Sequence, residues 1–195
     1  NGAVPRREDP RDCLITLGAK SLEDLPSGAK VGTSSLRRAS QIKSMRPDLQ
    51  LEPVRGNIDS RLKKLETEGF DAIILAAGLH RMGWKDRITS YIPEEACLPA
   101  VGQGALGIEC RASDEELLAL LKLYNHQDTS ATVAAERTFL GVLNGGCQVP
   151  IGAHAVWAGQ EISLTGMVGS PDGEVILKET LQGKDPQKLG EAVAA

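Results

Sequence analysis

Between residues 30 and 77 the apolar positions switch repeatedly between a period of about two and a helical period. Lys30-Val31-Gly32-Thr33 reads as a short strand, and the segment from about residue 35 to 45 reads as a helix that must stop before Pro47. Residues 49–54 form the next strand pattern. Ile58, Leu62 and Leu65 then recur at helical spacing over 58–68, Gly69 ends that helix, and Asp71-Ala72-Ile73-Ile74-Leu75-Ala76 is the near-continuous apolar run expected of a buried parallel strand. The order βαβαβ predicts an α/β domain.

Beyond Pro93 the pattern changes to a connection punctuated by Gly and Pro, Leu98-Pro99-Ala100-Val101-Gly102-Gln103-Gly104, of a kind that crosses between domains, followed by an expected strand at 105–110. Residues 114–124 and 128–143 read as helices, each opened by an aspartate able to cap its N-terminus. Strand patterns follow at 151–158, 161–168 and 174–181, and a helical pattern begins after Asp185-Pro186, so the second region is expected to be α+β. No internal repeat or low-complexity tract interrupts this order.

Composition narrows the picture only in places. The 195 residues are 41% hydrophobic and 25% charged, enough for one large or two modest cores, and no apolar run approaches the length needed to span a bilayer. A basic-then-apolar signal pattern is missing at the N-terminus, so a cytosolic setting is expected. Cys13, Cys97, Cys110 and Cys147 are widely spaced, as are His80, His126 and His154, so neither a disulfide scaffold nor a compact metal site is indicated, although one built from distant residues stays open.

Charge is more telling. The net value is −4, yet residues 30–90 hold 12 Lys/Arg against 7 Asp/Glu while the remainder holds 10 against 19. A local basic field in an acidic chain suits a small anion in a cleft better than nucleic acid, and 3% aromatic residues leave little for base stacking.

Gly32-Thr33-Ser34-Ser35-Leu36-Arg37-Arg38 falls at a strand-to-helix junction, where unpaired N–H groups and the helix dipole favour an anion; the plainer reading is that Ser35 merely caps the helix. Arg55-Gly56-Asn57 follows the next strand, with Arg61 in the helix behind it, and Arg81 follows the third. Three successive βα junctions thus deliver arginine, whose planar fork suits carboxylates, at the strand ends where open α/β sheets bind ligands. The alternative for Arg61, Lys63 and Lys64 is a solvated helix face. Cys147 sits in Asn144-Gly145-Gly146-Cys147-Gln148-Val149-Pro150, a glycine turn closed by proline, where a thiol is exposed rather than buried; a thiolate near arginines suits a nucleophile. The other three cysteines lie in or beside apolar stretches and read as small buried hydrophobes.

Together, Val31-Gly32-Thr33-Ser34-Ser35-Leu36-Arg37-Arg38, Val54-Arg55-Gly56-Asn57 with Arg61, the 98–104 connection and the glycine turn around Cys147 resemble the porphobilinogen deaminases, also called hydroxymethylbilane synthases, in order and spacing across almost the whole chain. The resemblance implies a transferase of tetrapyrrole (heme) biosynthesis that condenses four porphobilinogen molecules into hydroxymethylbilane with release of ammonia, using a dipyrromethane cofactor held by a thioether. Cys147 matches the attachment position, an anchor rather than a turnover nucleophile. Arg37, Arg38, Arg55, Arg61 and Arg81 match positions that bind the acetate and propionate groups of cofactor or substrate, with Thr33, Ser34, Ser35 and the backbone of Gly56 contributing.

The same resemblance implies a type II periplasmic-binding-protein-like lobe over residues 6–104, a return segment of a first domain over 105–122, and an α+β cofactor-anchoring domain over 123–195 without its closing elements. A monomer is implied, with porphobilinogen and its oligomers as partners and neither nucleic acid nor membrane. The family's acid/base aspartate belongs to a His-Ser-x-Lys-Asp motif that this sequence lacks; Asp9 and Asp12 belong to a different family segment, no residue here is assigned as catalytic, and the chain alone is expected to be an inactive fragment. A non-catalytic polycarboxylate-binding module is the alternative and leaves the glycine-flanked Cys147 idle, while a thiol redox protein would need a resolving cysteine nearby.

Overall fold

A computed structural model of the chain describes residues 2–78, 83, 85–143 and 149–195. Five strands form the larger sheet: β1 (Asp12–Thr16), β2 (Lys30–Gly32), β3 (Gln50–Glu52), β4 (Ala72–Ala76) and β5 (Ser90–Ile92), in the spatial order β3-β2-β4-β1-β5. β2 runs parallel to β3 and β4, while β1 is antiparallel to both β4 and β5. The apolar run 72–76 is therefore parallel to its neighbour on one side only.

Both faces of this sheet are covered, which is why β4 reads as an unbroken apolar run. Leu14, Val31, Ala72 and Ile74 point to one face and pack with Ile42 of α1 (Leu36–Met45), whereas Cys13, Ile15, Ile73 and Leu75 point to the other and pack with Leu62 and Leu65 of α2 (Ile58–Thr67). Both helices begin on a side-chain cap: Ser35 accepts from the Arg38 N–H at 3.2 Å, and Asn57 from the Ser60 N–H at 2.8 Å.

The second unit is an antiparallel meander, β6 (Ile151–Ala158), β7 (Glu161–Gly169) and β8 (Ile176–Gly183), with α4 (Gln127–Leu143) and α5 (Pro186–Ala194) packed on one face. Ala135, Phe139, Leu189 and Val193 meet Ile151, Ala153, Ala155, Ile162 and Leu164 there. α3 (Glu115–Leu121) precedes α4, and Asp114 caps it by accepting from the Leu117 N–H at 3.1 Å. Asp128 does not cap α4 as the sequence suggested. The helix starts one residue earlier, and the His126 Nδ1 accepts from the Thr129 N–H at 3.2 Å.

Two chain segments cross between the units side by side. Glu8 donates to the Gly104 carbonyl at 2.9 Å, and Gly104, at φ +81°, lies so close that a Cβ there would sit 2.8 Å from the Glu8 carbonyl oxygen. The strand expected at 105–110 does not form; among the described residues only an isolated bridge joins Ile108 to Ala3, with the Gly2 N–H also donating to the Ile108 carbonyl at 2.7 Å. The crossing is clasped by Glu136 of α4. Its buried carboxylate accepts two bonds from Arg7, at 2.6 and 2.9 Å, and one each from the Gly102 N–H at 2.8 Å and the Ala155 N–H at 2.9 Å. One side chain therefore ties the N-terminal segment, the 98–104 connection, α4 and β6 together.

Among the described residues, no helix is long and apolar enough to cross a membrane.

Candidate functional site

The residues after β2 form a tight bend. Thr33 N–H donates to the Glu52 carbonyl at 2.9 Å, and the Ser34 hydroxyl both donates to the Val54 carbonyl at 2.8 Å and accepts from the Val54 N–H at 3.0 Å, locking the bend to the end of β3. Ser35 N–H donates to the Thr33 hydroxyl at 3.2 Å before Ser35 itself caps α1. The capping reading of Ser35 is thus correct, and the bend still opens on a cavity of about 520 Å³, a volume ordinary for small-molecule sites. The N–H groups of Leu36 and Arg37 belong to the first turn of α1, where a helix leaves its donors unpaired and its dipole is positive.

Three cations join the bend at the cavity wall: Arg37 and Arg38 from α1, and Arg61 from α2, whose Nε donates to the Gly56 carbonyl at 3.0 Å. Gly56 itself has φ +109°, a left-handed geometry that lets its carbonyl turn towards Arg61. Arg61 is accordingly not part of a freely solvated face. Val54, Ile73 and Ile74 supply an apolar floor, and Val101 of the 98–104 connection with Leu140, Val149 and Ile151 of the second unit close the far side. Arg55 is exposed and not among the lining residues; its carbonyl accepts from Lys64 at 3.1 Å. Arg81 and Cys147 lie outside the described residues, as do the glycines flanking Cys147.

Arg37 and Arg38 converge on a carboxylate that sequence reasoning passed over. Asp12, fully buried, accepts from Arg37 Nη1 at 2.8 Å and Nη2 at 3.2 Å, from Arg38 Nε at 2.8 Å, and from Gln103 Nε2 at 3.0 Å. Arg37 also donates to the Leu98 carbonyl at 2.7 Å and to Gln103 Oε1 at 3.2 Å. Burial pushes the Asp12 carboxyl up, and the two guanidinium charges with their hydrogen bonds more than offset it, holding its pKa below the usual carboxylate value. The signal in the sequence was a lone acid heading an apolar strand, since an aspartate is almost never fully buried without a partner.

Cys97 completes this cluster, its thiol 3.3 Å from Asp12 Oδ2; burial first, then the adjacent carboxylate, pushes it up to about 12. Burial likewise raises Cys13 to about 11. Neither is a thiolate near neutrality, in keeping with their reading as inert packing residues. Among the described residues, no group of three or more His, Cys, Asp or Glu is placed to hold a metal ion.

This arrangement can hold a small carboxylated molecule against an apolar wall. Residues 1–119 match the family model described as "Porphobilinogen deaminase, dipyromethane cofactor binding domain", which contains the bend and all three cavity arginines, and residues 130–195 match "Porphobilinogen deaminase, C-terminal domain", which contains Cys147. The chain is 57% identical to the porphobilinogen deaminase of Bacillus subtilis over 197 residues, covering 100% of this chain and 63% of that protein. It is 57% identical to that of Paenibacillus macerans over 215 residues (100% and 66%), and 59% identical to that of Brevibacillus brevis over 195 residues (99% and 63%). The chain thus spans just under two thirds of the length of these curated relatives. Two adjoining matches to different domains of one family, with identities above one half from end to end, show that this chain belongs to the porphobilinogen deaminase family.

Proposed function

We propose that the chain serves a transferase that condenses four porphobilinogen molecules into hydroxymethylbilane with release of ammonia, and that its cavity holds the acetate and propionate groups of the dipyrromethane cofactor and of incoming pyrroles. The observation that carries this reading is the convergence of Arg38 and Arg61, with the inward-bonded Arg37 behind them, and the N-terminal turn of α1 on one cavity backed by apolar residues.

The residues fit a carboxylated pyrrole. No hydrogen-bond partner for Arg38 Nη2 exists among the described residues, so donors remain at the wall, while Val54, Ile73, Ile74 and Leu140 line the cavity with apolar side chains for the rings. Thr33 and Ser34 keep the bend rigid, which lowers the ordering cost of binding. When bound, the dipyrromethane supplies the pyrrole carbon to which successive units are joined. Cys147 is proposed as its thioether anchor: Val149 lines the cavity, and two residues of chain reach at most about 7 Å. Arg55, Gly56 and Arg81 are proposed as further contacts around the same strand ends.

The sheet order β3-β2-β4-β1-β5, with one antiparallel strand inserted among parallel ones, supports a type II periplasmic-binding-protein-like lobe over 6–104, with 105–122 as a return segment and 123–195 as the anchoring domain. A cytoplasmic monomer without nucleic-acid or membrane partners completes the proposal. The sequence contains no His-Ser-x-Lys-Asp motif, so these 195 residues are assigned binding and anchoring but no acid/base, and alone they turn over no substrate.

Incubation of the chain with hydroxymethylbilane, which loses its hydroxyl as water and so needs no enzymic deamination, followed by denaturing intact mass and peptide mapping, tests the anchor. A pyrrole-oligomer increment on the peptide carrying Cys147, lost in Cys147→Ser, is expected. The same increment on Cys147→Ser, or on another cysteine, contradicts it.

A further inference from the structure

We infer that Asp12 is a positioning residue of the carboxylate site, acting through Arg38: it fixes the Arg38 guanidinium so that its free edge faces the cavity, and it keeps the adjacent Arg37 as an inward strut rather than a second contact. This inference rests on the carboxylate-site reading given above.

Topology puts Asp12 where it can do this. β1 is antiparallel to its neighbours, so its first residue lies opposite Ala76 and Ile92, the final residues of β4 and β5. That is the sheet edge where α1 begins and where ligands of open α/β sheets bind. Among the described residues, Asp12 is the only carboxylate that bonds to either arginine of α1.

The two arginines use Asp12 differently. All four terminal N–H groups of Arg37 have internal acceptors: the two Asp12 oxygens, the Leu98 carbonyl and Gln103 Oε1. Its side chain is only 6% exposed. Arg38 gives Asp12 its Nε at 2.8 Å and the Ile74 carbonyl a long Nη1 contact at 3.4 Å, leaving Nη2 for a ligand at the cavity wall. Asp12 cancels one of two adjacent positive charges, so the pair neither splays apart nor loses its attraction for an anion; Arg61 adds the second net charge. Gln103 holds the carboxylate from behind, donating from Nε2 to Asp12 and to the Pro10 carbonyl at 2.7 Å.

Asp12→Glu keeps the charge but pushes the carboxylate outward by one methylene, displacing Arg38 by about 1 Å, enough to spoil a bidentate contact. The full 195-residue chain is titrated with porphobilinogen by calorimetry, in the parent, Asp12→Glu, Arg38→Gln and the double variant, with thermal melts to establish folding. The inference predicts at least about a tenfold loss of affinity in Asp12→Glu and less than about a twofold further loss when Asp12→Glu is added to Arg38→Gln. Equal losses in both backgrounds, or a folded Asp12→Glu that binds like the parent, overturn it and leave the carboxylate site standing. Failure of the parent to bind porphobilinogen overturns both. One measurement needs no variant at position 12: the Arg38 Nε–H, assigned in the nitrogen-proton spectrum by its loss in Arg38→Gln, is predicted to exchange slowly with solvent, and fast exchange equally overturns the inference.

Discussion

Replacing Glu136 by Gln tests whether the clasp between the two units is a principal source of stability. The carboxylate is fully buried and accepts four bonds, two of them from Arg7, whose side chain is 10% exposed. Glutamine fills the same volume but presents one acceptor oxygen and a donor nitrogen, so either Arg7 or a backbone N–H faces another donor. Breaking a buried pair while leaving its partner charged costs about 3–5 kcal/mol, and an orphaned backbone N–H adds about 1–3 kcal/mol that is not fully additive. Taking the pair alone, and roughly 2–4 °C per kcal/mol for a chain of this size, Glu136→Gln is expected to lower the melting midpoint by roughly 6–20 °C. Differential scanning calorimetry measures this directly, and urea titration should show a lower midpoint with little change in slope. Adding Arg7→Met to Glu136→Gln should cost less than the two single changes summed, because no buried cation is then left unpaired. A Glu136→Gln chain that melts within about 2 °C of the parent refutes the reasoning.

Other consequences concern pH and the hairpin between β7 and β8. Burial depresses the His154 imidazole, whose Nδ1 has no hydrogen-bond partner among the described residues, so folding favours the neutral ring; the stability it contributes is full above the unfolded pKa of about 6.5 and is lost as pH falls towards the lower folded value. Unfolding midpoints should therefore fall between pH 7.5 and 5.5, and His154→Phe should flatten that slope. Asp12 acts in a lower window, its stabilisation being present above an unfolded pKa of about 3.9 and lost as pH falls through its depressed folded value. Asp12→Ala removes that acid dependence and, by leaving two guanidinium groups uncompensated, costs about 3–5 kcal/mol by urea unfolding. Gly173 lies at φ +74° and a Cβ there would run into the Ser40 carbonyl oxygen of α1, so Gly173→Ala should destabilise by about 1–3 kcal/mol in the same assay, whereas Gly159→Ala, also left-handed but with open space around it, should cost less.

The helices were legible because their punctuation is local. Ser35, Asn57, Asp114 and Asp185 each cap the helix that follows, and the apolar spacing of Ile58, Leu62 and Leu65 maps onto a buried face. β1 and β5 gave no comparable signal: β5 is three residues long, and β1 finds its partner β4 some sixty residues away, so pairing rather than pattern defines them. The expected strand at 105–110 failed for the converse reason, since a suitable pattern without a paired partner is only extended chain. At the site, the bend at 32–35 and Arg38 and Arg61 were readable from composition at strand ends. Asp12 was not, because its role depends on β1 running backwards through a parallel sheet, and the difference between Arg37 and Arg38 depends on hydrogen bonds to residues some sixty positions later.

Titration of isotopically labelled chain with porphobilinogen, followed in backbone nitrogen-proton spectra, tests the central claim most directly. If the cavity is the carboxylate site, the largest shifts fall on Thr33 to Arg38 and on Arg61, saturate together, and are lost in Arg38→Gln. Saturable shifts confined to the exposed lysine face of α2 or to the second unit, with the bend unmoved, would contradict it.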